Sequence, residues 1–203
     1  MFMKIRILAI VTALLAGAGL SRADIISNSI AADGDGVITC YTYGFLKTGD
    51  HAFQLNIDGS QNLWDYGHIR GDIITDTETD PTLTLFNSID NDTGLTWGDY
   101  HVQVTMSQSF SFSNVGVTNG GWTDIVTAPT LVGSDWVGHI DYYAGNLVPN
   151  GGTLDFSLSI AFTGTTSFEE DLMPSTVPEP GTFALMVCGL TGLLVMRRRS
   201  AMK

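Results

Sequence analysis

Carboxylates are the reactive groups this sequence has in quantity, and it sets imidazoles beside them in two places. Asp99 and His101 stand two residues apart, as do His139 and Asp141. That spacing puts both members of a pair on one face of a strand. If the two strands were neighbours, the four side chains would make a carboxylate and imidazole site for zinc or another transition metal. Both pairs also take the polar parity, opposite Val102 and Val104 in one stretch and opposite Trp136, Ile140 and Tyr142 in the other. Solvent-facing polar residues account for them equally well.

The acids raise a calcium reading, because hard cations take oxygen ligands. Asp33-Gly34-Asp35-Gly36 has the look of a calcium loop, but position 37 is Val, and the helix-flanked pattern needs a third oxygen ligand there. Asp76, Glu78 and Asp80 form one acidic loop, and Asp90 and Asp92 another. Acids at turns also bond their own backbone, which is the duller explanation. The metal candidates are therefore Asp90, Asp92, Asp99 and His101, and calcium is the one cofactor the composition favours. Among the rings, Trp64 and Trp122 lie beside turns and are the candidates for stacking on sugar faces, whereas Trp136 and Tyr100 take core parity. No Gly-x-Ser-x-Gly, His-Glu-x-x-His, P-loop or dinucleotide fingerprint occurs, and no catalytic residue is assigned. Cys188 lies in an apolar tail, which leaves Cys40 alone in the body, so no intrachain disulfide can form there.

The elements that must carry these residues have a period of two. Val102, Val104, Met106, Phe110 and Phe112 share one parity, and Leu154, Phe156, Leu158, Ile160 and Phe162 repeat the pattern against Asp155, Ser157 and Ser159. Such alternation marks strands with one buried and one wet face. Further strands are expected at 25–31, 37–45, 51–57, 68–75, 82–89, 122–127 and 135–143, separated by turns such as Thr48-Gly49-Asp50, Asp58-Gly59, Asn119-Gly120-Gly121 and Asn150-Gly151-Gly152. Eight to ten strands with no helical period and no visible repeat make an all-β domain, an antiparallel β-sandwich of jelly-roll or lectin-like form.

Charge divides the chain into three parts. The whole carries −12, but seven of its nine basic residues are at the ends, and residues 24–176 hold only Lys47 and Arg70 against twenty acids, a net −18. A body so acidic gains nothing from a nucleic-acid backbone, and nucleic-acid function is excluded. The front is basic through Lys4 and Arg6, then apolar from Ile7 to Leu20, with small residues Ser21 and Ala23 before Asp24. This is a signal peptide over 1–23, cut by signal peptidase after Ala23 on the general secretion route. At the back, prolines 174, 178 and 180 precede sixteen uncharged residues, 181–196, and Arg197, Arg198 and Arg199. A transmembrane helix there, with 197–203 as a basic cytoplasmic tail, leaves the body outside the inner membrane. The divisions expected are thus 1–23 signal peptide, 24–172 sandwich, 173–180 proline-rich linker, 181–196 membrane helix and 197–203 tail.

Val177-Pro178-Glu179-Pro180-Gly181, the apolar run and the arginine cluster together resemble the PEP-CTERM sorting signal of Gram-negative bacteria. The resemblance covers Val177 to Lys203. It implies an exosortase, an intramembrane cysteine transpeptidase, as the partner that cuts near Pro-Glu-Pro and releases or transfers the protein. The stretch from Asp90 to His101 (DNDTGLTWGDYH) is also similar to an Asn-x-Thr-Gly-x-x-Trp-x-Asp-Tyr-His segment in the bodies of some such proteins, to which no activity is attached. The expectation is an exported cell-surface or extracellular-matrix protein, associated with exopolysaccharide or biofilm, that is first held at the inner membrane and has no catalysis of its own. The alternative is a secreted carbohydrate-binding or polysaccharide-active protein, calcium-dependent in one form.

Overall fold

Alternating apolar and polar side chains dictate extended strands, and in the computed structural model residues 24–76 and 81–176 are described and contain strands and turns with no helix. The strands are β1 (Ile25–Asn28), β2 (Ala31–Ala32), β3 (Ile38–Gly49), β4 (Ala52–Gln61), β5 (Gly67–Thr75) and β6 (Thr82–Asn91), followed by β7 (Trp97–Met106), β8 (Phe110–Val117), β9 (Thr123–Val132), β10 (Asp135–Tyr143), β11 (Thr153–Phe162) and β12 (Thr166–Thr176). They form two packed sheets. One has the order β1-β5-β12-β7-β10-β9, with β2 also on β5, and the other the order β3-β4-β6-β11-β8.

The core lies between the two inner faces. Ile69, Ile73, Tyr100, Val102, Val104, Met106, Ile140, Phe168 and Leu172 come from the seven-stranded sheet, and Leu55, Ile57, Leu83, Leu85, Leu154, Phe156, Leu158 and Ile160 from the five-stranded one. Tyr100 and Tyr142 lean on Phe156 at ring separations of 5.6 and 5.4 Å, which ties the sheets together near their middle.

Four features depart from the sequence expectations. The run from Val102 to Phe112 is two strands: Ser107, Gln108 and Ser109 carry the chain from one sheet to the other while the parity carries on. β12 was not expected, because Glu169-Glu170-Asp171 breaks the apolar alternation, yet it lies between β5 and β7 and pairs with both. Since β12 continues to Thr176, residues 173–176, placed in the linker by sequence, belong to the sandwich. Finally, the pairing is not wholly antiparallel, because β4 and β6 run parallel over ten residue pairs, Ala52↔Thr82 to Gln61↔Asn91.

That parallel pair exposes a duplication that no sequence period announced. β4 passes into β5 and β6 into β7 by equivalent crossings between the sheets. A buried amide side chain pins each crossing. Gln61 Nε2 donates to Asp65 O at 2.8 Å, and Asn91 Nδ2 donates to Leu95 O at 2.8 Å and Val148 O at 2.9 Å. In the second arch Gly94 takes φ +78, Thr93 Oγ1 accepts from Trp97 Nε1 at 3.1 Å, and Trp97 is fully buried. The stretch 90–101 noted for its resemblance thus spans the crossing, in which Asn91 and Thr93 bond the turning chain.

Candidate functional site

The outer face of the seven-stranded sheet gathers the chemistry that sequence had scattered. On β12 the inward residues are Phe168, Glu170 and Leu172, so Glu169 and Asp171 point out. Register puts Asp171 between His68 of β5 and Gln103 of β7, and Glu169 between Arg70 and Thr105. Asp171 Oδ1 lies 2.5 Å from His68 Nδ1, and Gln103 Nε2 donates to Asp171 Oδ2 at 2.8 Å. Glu169 Oε1 is 3.7 Å from His68 Nδ1 and 3.2 Å from an Arg70 guanidinium nitrogen, which also meets Asp33 Oδ2 at 3.2 Å. Beside this group a shallow hollow of about 340 Å³ opens, lined by Arg70, Asp72, Thr105, Asp135 and Glu169 among others.

Two strands along the sheet the second arch repeats the imidazole and carboxylate pair. β7 and β10 are neighbours, as the paired histidine motifs required, and His101 faces Asp141 with Nδ1 to Oδ1 at 2.7 Å. His139 faces Gln103 instead, so the expected four-residue set of Asp99, His101, His139 and Asp141 reduces to one hydrogen-bonded pair. Among the described residues, the set of three or more His, Cys, Asp or Glu side chains whose ligand atoms converge is His68, Glu169 and Asp171. Sequence reasoning missed it because His68 and Asp171 are 103 residues apart. The available signal was the shared parity of Glu169 and Asp171, two apart on one strand face.

The candidates named from sequence are dispersed. Asp90 Oδ1 accepts from Thr153 at 2.6 Å on β11, while Asp92 Oδ2 accepts from Ser60 at 2.5 Å on β4. Asp99 and His101 face outward from β7, so the set of Asp90, Asp92, Asp99 and His101 does not converge. In the Asp33 loop the carboxylates cap their own turn: Asp33 Oδ1 accepts from Asp35 N at 3.1 Å and Asp35 Oδ1 from Val37 N at 2.8 Å. Glu78 and Asp80 lie outside the described residues.

Trp122, expected at the surface, is only 8 % exposed. Its ring lies over Gly145, where a Cβ would fall 1.9 Å from it, and its Nε1 donates to Asn146 O at 2.9 Å. Trp64 is half-buried against the core. Among the described residues, the large aromatic side chains that do face solvent are Tyr41, Tyr43, Tyr66 and Phe86. Ser21, Ala23, the stretch Val177 to Gly181 and Arg197 to Arg199 lie outside the described residues.

Directly beneath the outer cluster, Glu170 is wholly buried between the sheets. Asn87 Nδ2 donates to its Oε1 at 3.1 Å, and its Oε2 has no partner among the described residues. Burial pushes its carboxyl up to about 8, with Asn87 drawing it down and Asp171 adding a smaller push upward. Cys40, half-buried on β3, has its thiol raised, first by burial and to a lesser extent by Glu170.

No protein-family model, no curated protein and no solved structure matches this chain.

Proposed function

We propose that the chain is the precursor of an exported, exosortase-sorted protein whose non-catalytic β-sandwich serves at the cell surface or in the extracellular matrix, alongside exopolysaccharide. The observation that carries this reading is the position of the tail signal relative to the fold. β12, paired on both sides within its sheet, is described as far as Thr176, and Val177-Pro178-Glu179-Pro180 comes next in the sequence. A cut near Pro178 to Pro180 removes the apolar run and the arginines and leaves every described strand residue of the sandwich in place. At the other end, removal of residues 1–23 leaves Asp24 immediately before β1.

In this scheme signal peptidase acts first, the segment 181–196 then holds the body outside the inner membrane, and the exosortase frees it. The lectin-like form rests on the repeated crossing between sheets, β4 to β5 and β6 to β7. The parallel β4–β6 pair is its departure from an all-antiparallel jelly roll. The alternative reading, a secreted carbohydrate-binding or polysaccharide-active protein, would place its sugar contacts at exposed rings such as Tyr66 and Phe86 rather than at Trp122, which is buried.

Cell fractionation tests the proposal. In a host with an exosortase, Glu179→Ala or deletion of Arg197–Arg199 is expected to leave the protein in the inner-membrane fraction while the parent reaches the envelope surface or medium. A variant that fractionates like the parent contradicts the sorting scheme.

A further inference from the structure

We propose that His68, Glu169 and Asp171 bind a divalent transition-metal ion of the zinc type. The ligand atoms of the three side chains all lie within 4.8 Å of one another. Donors around a tetrahedral zinc, each about 2.0–2.2 Å from the ion, stand about 3.4 Å apart. Glu169 Oε1 and His68 Nδ1, at 3.7 Å, are close to that spacing. Asp171 Oδ1, at 2.5 Å from the same nitrogen, needs to give way by about 1 Å.

The donor chemistry selects the ion. One imidazole nitrogen with two carboxylates suits zinc, manganese or cobalt, whereas calcium asks for six to eight oxygens and no imidazole. Supporting contacts hold the donors in place. Gln103 occupies Asp171 Oδ2 and leaves Oδ1 for the ion. Arg70 steadies Glu169 and Asp33; its positive charge opposes a cation, but two carboxylates face this one guanidinium. Glu169 also lines the neighbouring hollow, which gives water or a ligand oxygen a way to the ion.

The second arch supplies an internal control. His101 and Asp141 reproduce the imidazole and carboxylate pair at 2.7 Å, but among the described residues no third ligand converges on them. The inference does not depend on how the tail is processed.

The test is calorimetric titration of ZnCl2 into the full-length protein, solubilised in mild detergent and stripped of metal with chelator, with Co2+ as a spectroscopic probe. One ion per chain is expected. His68→Ala and Asp171→Asn should each weaken binding by about tenfold or more and abolish the visible Co2+ bands. Glu169→Gln, at a more exposed position, should weaken it similarly and serves if another variant fails to fold. His101→Ala should bind as the parent does. The proposal is overturned if zinc at roughly 100 µM gives no binding, if affinity is unchanged in His68→Ala and Asp171→Asn, if His101→Ala loses binding equally, or if calcium displaces zinc one for one.

Discussion

Glu170 shows how much a single side chain on a central strand can govern. A charged carboxylate in the sandwich interior has one amide donor, from Asn87, and faces the phenols of Tyr100 and Tyr142 and the thiol of Cys40, with Asp171 beside it on the same strand. The proton therefore stays on in the folded state up to about pH 8, against an ordinary value of 4.5. A protonated Glu170 also has a hydrogen to donate, and Asn87 Oδ1 has no other partner among the described residues. Because the folded state holds the proton more tightly than the unfolded one, the associated stability is complete below pH 4.5 and is lost as pH rises through about 8. The total is about 3–5 kcal/mol. Melting temperatures measured from pH 5 to 9 should fall for the parent and stay flatter for Glu170→Gln, which should be the more stable of the two at the alkaline end. Equal slopes would show that Glu170 ionises freely in the fold.

At the scale of elements, the two arches organise the molecule. Asn91 donates to the carbonyls of Leu95 and Val148 and accepts from Thr93 N and Oγ1, so it secures the crossing from β6 to β7. Asn91→Ala strands two carbonyls and is expected to cost about 2–4 kcal/mol, read as a drop in the denaturant midpoint. A loss below about 0.5 kcal/mol would mean that water replaces the amide at no penalty. The strands with clean alternation, β7, β10 and β11, were legible in the residues because each has one apolar and one polar face. β12 was not, because its inward residue between Phe168 and Leu172 is Glu170, an acid at core parity that only a raised protonation range makes tolerable. The parallel β4–β6 pairing was equally hidden, since periodicity reports which face is buried and says nothing of which strand lies alongside. The candidate site needed both missing facts. His68, Asp171 and Gln103 meet only when β12 is inserted between β5 and β7.

Across the whole molecule, charge is divided sharply along the chain. The positive charge of the chain is concentrated in segments 1–23 and 181–203, whereas residues 24–176 carry −18. Self-repulsion at that charge keeps a released domain soluble and discourages direct adhesion to anionic surfaces without a bridging cation. Asp24, the first residue after the expected signal cut, is already held: its carboxylate meets Lys47 Nζ at 2.5 Å and its backbone nitrogen donates to Asp76 Oδ1 at 2.7 Å. A new amino terminus would form beside a waiting carboxylate. The most direct measurement is the intact mass of the protein recovered from the surface or medium of a host that carries an exosortase. It should correspond to a chain that begins at Asp24 and ends between Thr176 and Gly181. A recovered chain that retains the segment up to Lys203, or a body found only inside the cell with residues 1–23 attached, would contradict the proposal that this sandwich is exported and released by its tail signal.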